Sequence, residues 1–393
     1  MNLIFAKKGR AEKVQNYYLW LFHDEVERVV LDTSMGIANL FSHNQEFVGK
    51  GLFVQGASKT FRLLTHVDEP IDFAFFLRRI QKALSVRKVR GHFSWFRLIH
   101  GEGDLLPGVV ADFYQGTLII QLRHPVWEEY RSPLIDAFRS ALADSLCGIY
   151  ERSDFESSPE IGLKRHVGVL WGAPEHHQLF KEHELTFSAH LQKGQKTGFF
   201  LDQKDGRQFF NEYLRRADLK DSSGLDLFCY TGSFALYMAK WGIQSIGVDK
   251  SVEDILLAKE NAKRNRLDSR VLFECADAFS WLDQDKRKYK VLFIDPPALV
   301  KSKNELFVGK RKMISLVTKA MERIDCPGLM GLCSCSYHFG WNEMEEVLRK
   351  SAFSTRKQVR VISQTIQSTD HPWLLQMPET LYLRCFWVEV DQD

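Results

Sequence analysis

The side chains best suited to chemistry are Cys335, between two serines in "GLCSCS", and Asp295, ahead of two prolines in "FIDPPALV". Each follows a short apolar run, so each is expected where a strand of a sheet ends. A thiolate beside a carboxylate suits one reaction in particular. Cytosine C5 is too weak a nucleophile to take a methyl group unaided. A cysteine adding to C6 turns the ring into an enamine, and loss of the C5 proton after methylation expels the sulfur. Asp295 would hold the N3/N4 edge of a base turned out of its stack. A lone cysteine is more often a small buried hydrophobe, but the flanking serines, the strand-end position and the Asp-Pro-Pro partner favour a nucleophile. Cys333 shares a face with Cys335 in an extended strand and stays open as nucleophile or helper. Cys229 and Cys275 lie in apolar runs and are expected in the core. Amino-group methyltransferases carry an aromatic ring after a similar Asp-Pro-Pro. Here that position is Ala298, which argues against amino methylation.

Such chemistry needs a methyl donor, and the upstream sequence has the parts for one. "GLDLFCYTGSFALYMAKWG" reads as a strand, a turn containing Tyr230 and Gly232, and a helix, with glycine permitting close backbone approach to a ligand. The next strand ends in "IGVDKS", setting Asp249, followed by Lys250, at a strand's carboxyl edge where a carboxylate can accept from a ribose diol. A third run ends in "ECADAF", bringing Asp277 and Ala278 to the same rim, suited to an adenine edge. Asp249 or Asp277 alone could simply cap the following helix. Three acids, Asp226, Asp249 and Asp277, on successive strands with Asp295 on a fourth favour a cofactor site. No phosphate-loop sequence occurs, and "CYTGSF" offers one glycine where a dinucleotide fingerprint needs three. A nucleoside ligand without pyrophosphate remains, and S-adenosylmethionine is the candidate.

These residues must be held by a doubly wound sheet. From Leu225 onward, "LDLFC", "SIGVD", "VLFEC", "VLFID", "MGLCS" and "LYLRCFWVEV" alternate with helix-length segments, the pattern of a parallel sheet with helical crossovers. Residues up to about 70 read instead as short strands broken by turn residues, a small β-domain. "DFAFFLRRIQKALSVRKVRGHFSWFR" begins as an amphipathic helix with no acid between Arg78 and Arg97, and "GEGDLLPGVVADFYQGTLIIQL" reads as a hairpin. That basic stretch could track RNA phosphates, with Trp95 or Phe96 stacking a base, or form a solvated helix over an aromatic core. The expected organisation is α/β: a small β-rich domain over residues 1–72, a central α+β domain over 73–185 and a Rossmann-like domain over 186–393.

With 393 residues, 45% of them hydrophobic, the chain can fill several cores, and Lys plus Arg of 53 against Asp plus Glu of 50 leaves it only mildly basic. Any anionic partner must be met by local patches. Seven scattered cysteines without Cys-x-x-Cys spacing fit reduced thiols in a cytoplasmic protein and argue against a zinc site. No apolar run approaches bilayer length, and no membrane association is expected.

Taken together, "GQKTGFFLDQKDGR", "DLFCYTGSFAL", "DPP", "SCS" and "RLIHGEGDLLPGVVADFY" resemble the bacterial large-subunit ribosomal RNA cytosine-5 methyltransferases with an N-terminal PUA domain, over almost the whole chain. The resemblance implies that the domain over residues 1–72 is PUA-like and that the chain is an S-adenosylmethionine-dependent enzyme of ribosomal RNA processing, acting on 23S RNA through Cys335, with homodimerisation by analogy. It also implies that Lys196, Thr197, Phe199 and Phe200 border the cofactor. The "KKGR" opening suggests that Lys7, Lys8 and Arg10 bind RNA phosphates, although exposed basic residues often only solubilise. His371 in "STDHPWLLQ" has no evident catalytic partner and reads as structural. Related guanine methyltransferases share the Gln-Lys-Thr and Asp-Pro-Pro elements without the cysteine, so the thiol carries the assignment to cytosine. Two rivals are a methyltransferase of another base or of DNA, and a non-catalytic RNA-binding protein with a vestigial methyltransferase domain.

Overall fold

The computed structural model describes residues 2–91, 94–154, 162–192, 198–300 and 302–392. The chain divides into two compact units, one built from residues 1–178, 190–198 and 369–380, the other from 179–189, 199–368 and 381–393.

The first unit contains two sheets. A six-stranded sheet is ordered Trp20–Leu21, Phe61–Thr65, Phe47–Val54, Met35–Phe41, Asn2–Ala6, Val26–Val30, around a core that includes Ile4, Leu21, Leu40 and Phe53. A five-stranded sheet is ordered His166–Gly172, Gly148–Ser153, Thr117–Leu122, Val109–Tyr114, Trp95–His100. The expected hairpin is present: Val109–Tyr114 and Thr117–Leu122 pair antiparallel through a turn at Gln115 and Gly116, whose φ values of 43° and 102° are the positive ones a tight hairpin turn requires. Helix Phe73–Val89 starts where the Asp72 carboxylate accepts from the Phe75 N–H at 3.1 Å. Its apolar stripe, Phe75, Phe76, Ile80, Ala83 and Leu84, packs into one core with Trp127, Leu134 and Phe138 of helix Trp127–Leu142.

That packing bears on the stacking part of the RNA-track reading of the basic stretch. Trp95 and Phe96 are buried, and Arg87 is buried in a bidentate pair with Asp104 at 2.5 and 2.6 Å. Neither aromatic ring is available to stack a base. His92 and Phe93 lie outside the described residues. His371 is buried, with Nδ1 2.7 Å from Asp370, whose other oxygen accepts from the Arg97 N–H at 2.9 Å. It belongs to the internal polar network that ties the 369–380 segment into this unit.

The second unit is a seven-stranded sheet with helices on both faces. In chain order its elements are α1 (Lys204–Arg216), β1 (Ser223–Leu227), α2 (Ser233–Lys240), β2 (Gln244–Asp249), α3 (Val252–Arg264), β3 (Val271–Cys275), α4 (Ala278–Gln284), β4 (Tyr289–Ile294), α5 (Leu306–Glu322), β5 (Ile324–Ser334), α6 (Trp341–Thr355), β6 (Gln358–Ile366) and β7 (Arg384–Asp391). The sheet order is β3-β2-β1-β4-β5-β7-β6, with β1 to β5 parallel and β7 antiparallel to both neighbours. The central strands are buried on both faces, which is why they read as continuous apolar runs. One face packs Leu225, Leu292, Leu332 and Phe386 against Leu282, Leu316 and Val347. The other carries stacked Phe210, Phe234, Phe293 and Trp387 rings, and a Cβ at Gly331 would come within 2.6 Å of Phe293 and 2.7 Å of Trp387.

Two expectations about this sheet need correcting. The "LYLRCFWVEV" run was grouped with the parallel strands, but it reverses direction. Strand β6, "QVRVISQTI", was not anticipated, because as an edge strand it buries little and its apolar signal is diluted by polar residues. Among the described residues no helix is long and apolar enough to cross a membrane.

Candidate active site

Strand β1 delivers the chain into a tight turn at 228–232, in which Phe228, Tyr230 and Gly232 all take left-handed conformations, with φ of 64°, 49° and 81°. An aromatic residue held there costs on the order of 1–3 kcal/mol, and such strain persists only where surrounding contacts fix it. The fixing group is Asp249 at the end of β2. Its Oδ2 accepts from the Tyr230 N–H and its Oδ1 from the Ser251 N–H, both at 3.0 Å. A Cβ at position 232 would lie 2.4 Å from the Phe273 ring, so glycine is required there for space as well as for φ. Asp226 is buried and directed inward: its Oδ2 accepts from the Ala235 N–H of α2 at 3.0 Å. Burial pushes its pKa well above the carboxylate range, assisted by the charges of Asp295 and Asp249.

Around this turn the anticipated residues separate. Phe200 stands edge-on to Tyr230, with ring centres 4.7 Å apart, and both border the turn. Phe199 is buried against Phe180 and Phe187 beneath the Arg207 guanidinium. Lys250 is exposed. Asp277 is exposed too and caps α4, its Oδ1 accepting from the Ser280 N–H at 3.0 Å, while Ala278 is buried beside it. Lys196 and Thr197 lie outside the described residues. The half-buried Asp249 carboxylate uses two lone pairs on backbone N–H groups and keeps acceptor capacity for a diol. Beside the Phe200–Tyr230 pair, that acceptor fits the ribose of a nucleoside cofactor.

Strands β4 and β5 are neighbours, with Ile294 opposite Leu332, so the segments that follow them meet at the same rim. Cys335 is partly exposed, and its Sγ lies 3.9 Å from the Pro296 carbonyl oxygen. The Ser336 hydroxyl donates to the Val300 carbonyl, tying the cysteine loop to the Asp-Pro-Pro loop. Asp295 accepts from the Gln203 side-chain amide at 2.9 Å, and Gln203 is itself buried. Sequence reasoning brought Cys335 and Asp295 to one rim and missed Gln203, although it lies inside the quoted "GFFLDQKDGR" run; nothing local shows which residue of that run faces Asp295.

The cysteine expectations change in two places. Cys333 and Cys385 face each other across β5 and β7, Cα atoms 4.1 Å apart, and are joined as a disulfide, so not all thiols are reduced and Cys333 has no free sulfur. Cys275 is exposed rather than core, because it is the last residue of β3. Cys229 is buried as expected, and that burial, with the Asp226 and Asp249 charges, pushes its thiol well up, which removes it as a thiolate.

Comparison with known proteins agrees with this layout. Residues 218–371 match a family model described as a methyltransferase domain, and residues 4–66 match a PUA-like domain. The ribosomal RNA large subunit methyltransferase I of Aliivibrio fischeri (strain MJ11) is 31% identical over 395 aligned positions, covering 98% of both chains. The chain belongs to the ribosomal RNA large subunit methyltransferase I family. A Streptococcus mutans protein assigned as a SAM-dependent methyltransferase shares the fold, at a TM-score of 0.84 and 19% identity over 99% of this chain and all of that one. A second crystal structure of the same score, also assigned as a methyltransferase, was solved in complex with S-adenosylhomocysteine.

For this family member the cofactor is S-adenosylmethionine, and the turn at 228–232, Asp249 and Phe200 are the elements suited to hold it. The supports around that turn include a buried ion pair that no sequence motif announced. Arg207 of α1 donates to both oxygens of Glu182 at 2.5 and 2.9 Å, and the Tyr237 hydroxyl of α2 donates to Glu182 Oε1 at 2.9 Å. Burial opposes the Arg207 charge, yet the Glu182 carboxylate against it holds its pKa above the ordinary value. Arg207 also donates to the Phe200 carbonyl at 2.8 Å, which links the pair to the aromatic residue at the turn.

Proposed function

We propose that this methyltransferase forms 5-methylcytosine in 23S ribosomal RNA, with Cys335 as the nucleophile and Asp295 as the group that holds the base. The observation that carries the reading is the meeting of the Cys335 sulfur and the Asp-Pro-Pro loop, 3.9 Å from Pro296, beside an Asp295 oriented by Gln203. S-adenosylmethionine, when bound, supplies an electrophilic methyl group. Cys335 as thiolate adds to C6 of the cytosine, the ring's electron pair moves to C5, and C5 becomes nucleophilic. After C5 is methylated a base takes its proton, the C5–C6 double bond re-forms and the Cys335 sulfur leaves. The Asp295 carboxylate hydrogen-bonds the N3/N4 edge and favours the protonated adduct. Ala298 after the prolines leaves no ring to stack on a target amino group, which favours carbon over nitrogen as the methyl acceptor.

Lys7, Lys8 and Arg10 of the PUA-like region are exposed, as phosphate contacts must be. Lys7 also donates to the Asp24 carbonyl at 2.7 Å, and Arg10 lies 3.9 Å from Glu25. Action on ribosomal RNA implies the cytoplasm. The test is incubation of transcribed 23S RNA with labelled S-adenosylmethionine, digestion to nucleosides and mass spectrometry. The expected product is 5-methylcytidine, absent with Cys335→Ala; a methylated guanosine, or full activity in that variant, overturns the assignment.

A further inference from the structure

We infer that Arg384 is an anchor for an RNA backbone phosphate next to Cys335, an inference that rests on the RNA-methylation reading above. Arg384 opens β7 directly opposite Ser334, the last residue of β5 and the chain neighbour of Cys335. Residues directly opposite on antiparallel strands point to the same face, so this guanidinium shares the face of Ser334, at the strand end from which the cysteine loop departs. The residue is only 7% exposed, and its Nε and Nη1 are buried without a hydrogen-bond partner among the described residues. Buried donors are nearly always paired, so two on one side chain call for an acceptor that binds there.

Among the described residues the neighbouring groups do not supply that acceptor. Burial lowers the Arg384 pKa, while Tyr337 and Glu343 raise it. Glu343 is the acid among these influences, and its Oε2 accepts from the Gly340 N–H at 2.9 Å, closing the start of α6. What is left is a cation with a planar fork of donors, the geometry that fits phosphate oxygens.

Position selects which anion. The cofactor turn follows β1, and β4 and β5 lie between β1 and β7. Three strand spacings separate β1 from β7, about 14 Å, so Arg384 stands well away from the nucleoside end of the site. A nucleotide whose base reaches Cys335 and Asp295 must carry its own phosphates past the neighbouring strand end, which is where Arg384 sits. The phosphate contact would fix the register of the flipped nucleotide without reading its sequence.

The test is methyl-transfer kinetics on transcribed 23S RNA over a potassium chloride series for wild type, Arg384→Gln and Arg384→Lys, with S-adenosylmethionine affinity measured by calorimetry. Losing one phosphate contact should make the fall of log kcat/KM with log salt shallower by about 0.7–0.9 in Arg384→Gln. The RNA KM should rise roughly tenfold in that variant, while the slope persists in Arg384→Lys and cofactor affinity is unchanged in both. An unaltered slope in Arg384→Gln overturns the anchor. An equal loss in both variants, with cofactor affinity falling in parallel, also overturns it, because a structural role would give that pattern. Failure of wild type to methylate the RNA would instead overturn the substrate reading, and the anchor with it.

Discussion

At the scale of single residues, the two acids of the cofactor end do different jobs although the sequence presents them alike. Asp249 is half-buried and organises the strained turn through two backbone N–H groups. Asp226 is fully enclosed and carries a raised pKa, first because of burial and then because of Asp295 and Asp249. A carboxyl whose folded pKa exceeds its unfolded value favours the fold most below the unfolded value. That contribution is lost as pH rises from the ordinary carboxylate range toward the raised one. Asp226→Asn keeps a carbonyl oxygen to accept from Ala235 and does not titrate. Its melting temperature relative to wild type should therefore climb as pH increases through that window, read by calorimetry at a series of pH values. A difference independent of pH would show that Asp226 does not titrate in that window. Sequence placed both acids on successive strands, but it could not tell which faced outward, since that depends on where α2 begins.

At the scale of elements, the parallel strands could be anticipated as far as β5, but not their order in the sheet. Runs such as "VLFID" and "MGLCS" are apolar on both faces and flanked by helix-length segments, so their parallel pairing follows from pattern. The reversal of β7 and the existence of β6 depend on how the chain returns after α6, which no local signal encodes. The Glu182–Arg207 pair was equally silent, because its members are far apart in sequence and become partners only when Leu179–Ala189 joins the second unit. Removing one member of a buried ion pair leaves a charge with no counterpart and costs about 3–5 kcal/mol. Glu182→Gln should destabilise the chain by that order in denaturant unfolding. It should also weaken S-adenosylmethionine binding, because Arg207 holds the Phe200 carbonyl. A change under about 0.5 kcal/mol would mean the pair is dispensable.

At the scale of the whole molecule, the chain combines a unit containing the PUA-like region with a methyltransferase unit, and both were legible in outline from strand-rich and alternating patterns. The proposed chemical core was easier to single out than its supports: Cys335 and Asp295 stand out through their neighbours, the flanking serines and the two prolines. Gln203 and Arg384 do not stand out, since glutamine and arginine are common everywhere and only the three-dimensional structure reveals what surrounds them. The central claim is a transient bond between this protein and its RNA. It is tested most directly by incubating the full chain with S-adenosylmethionine and 23S RNA containing 5-fluorocytosine, whose C5 fluorine cannot leave as a proton does. The protein is then examined by mass spectrometry. A methylated covalent adduct on Cys335, missing in Cys335→Ala, is the expected result. Methylation of ordinary RNA by wild type with no adduct on the fluorinated RNA would contradict it and turn attention to base nitrogens held by Asp295.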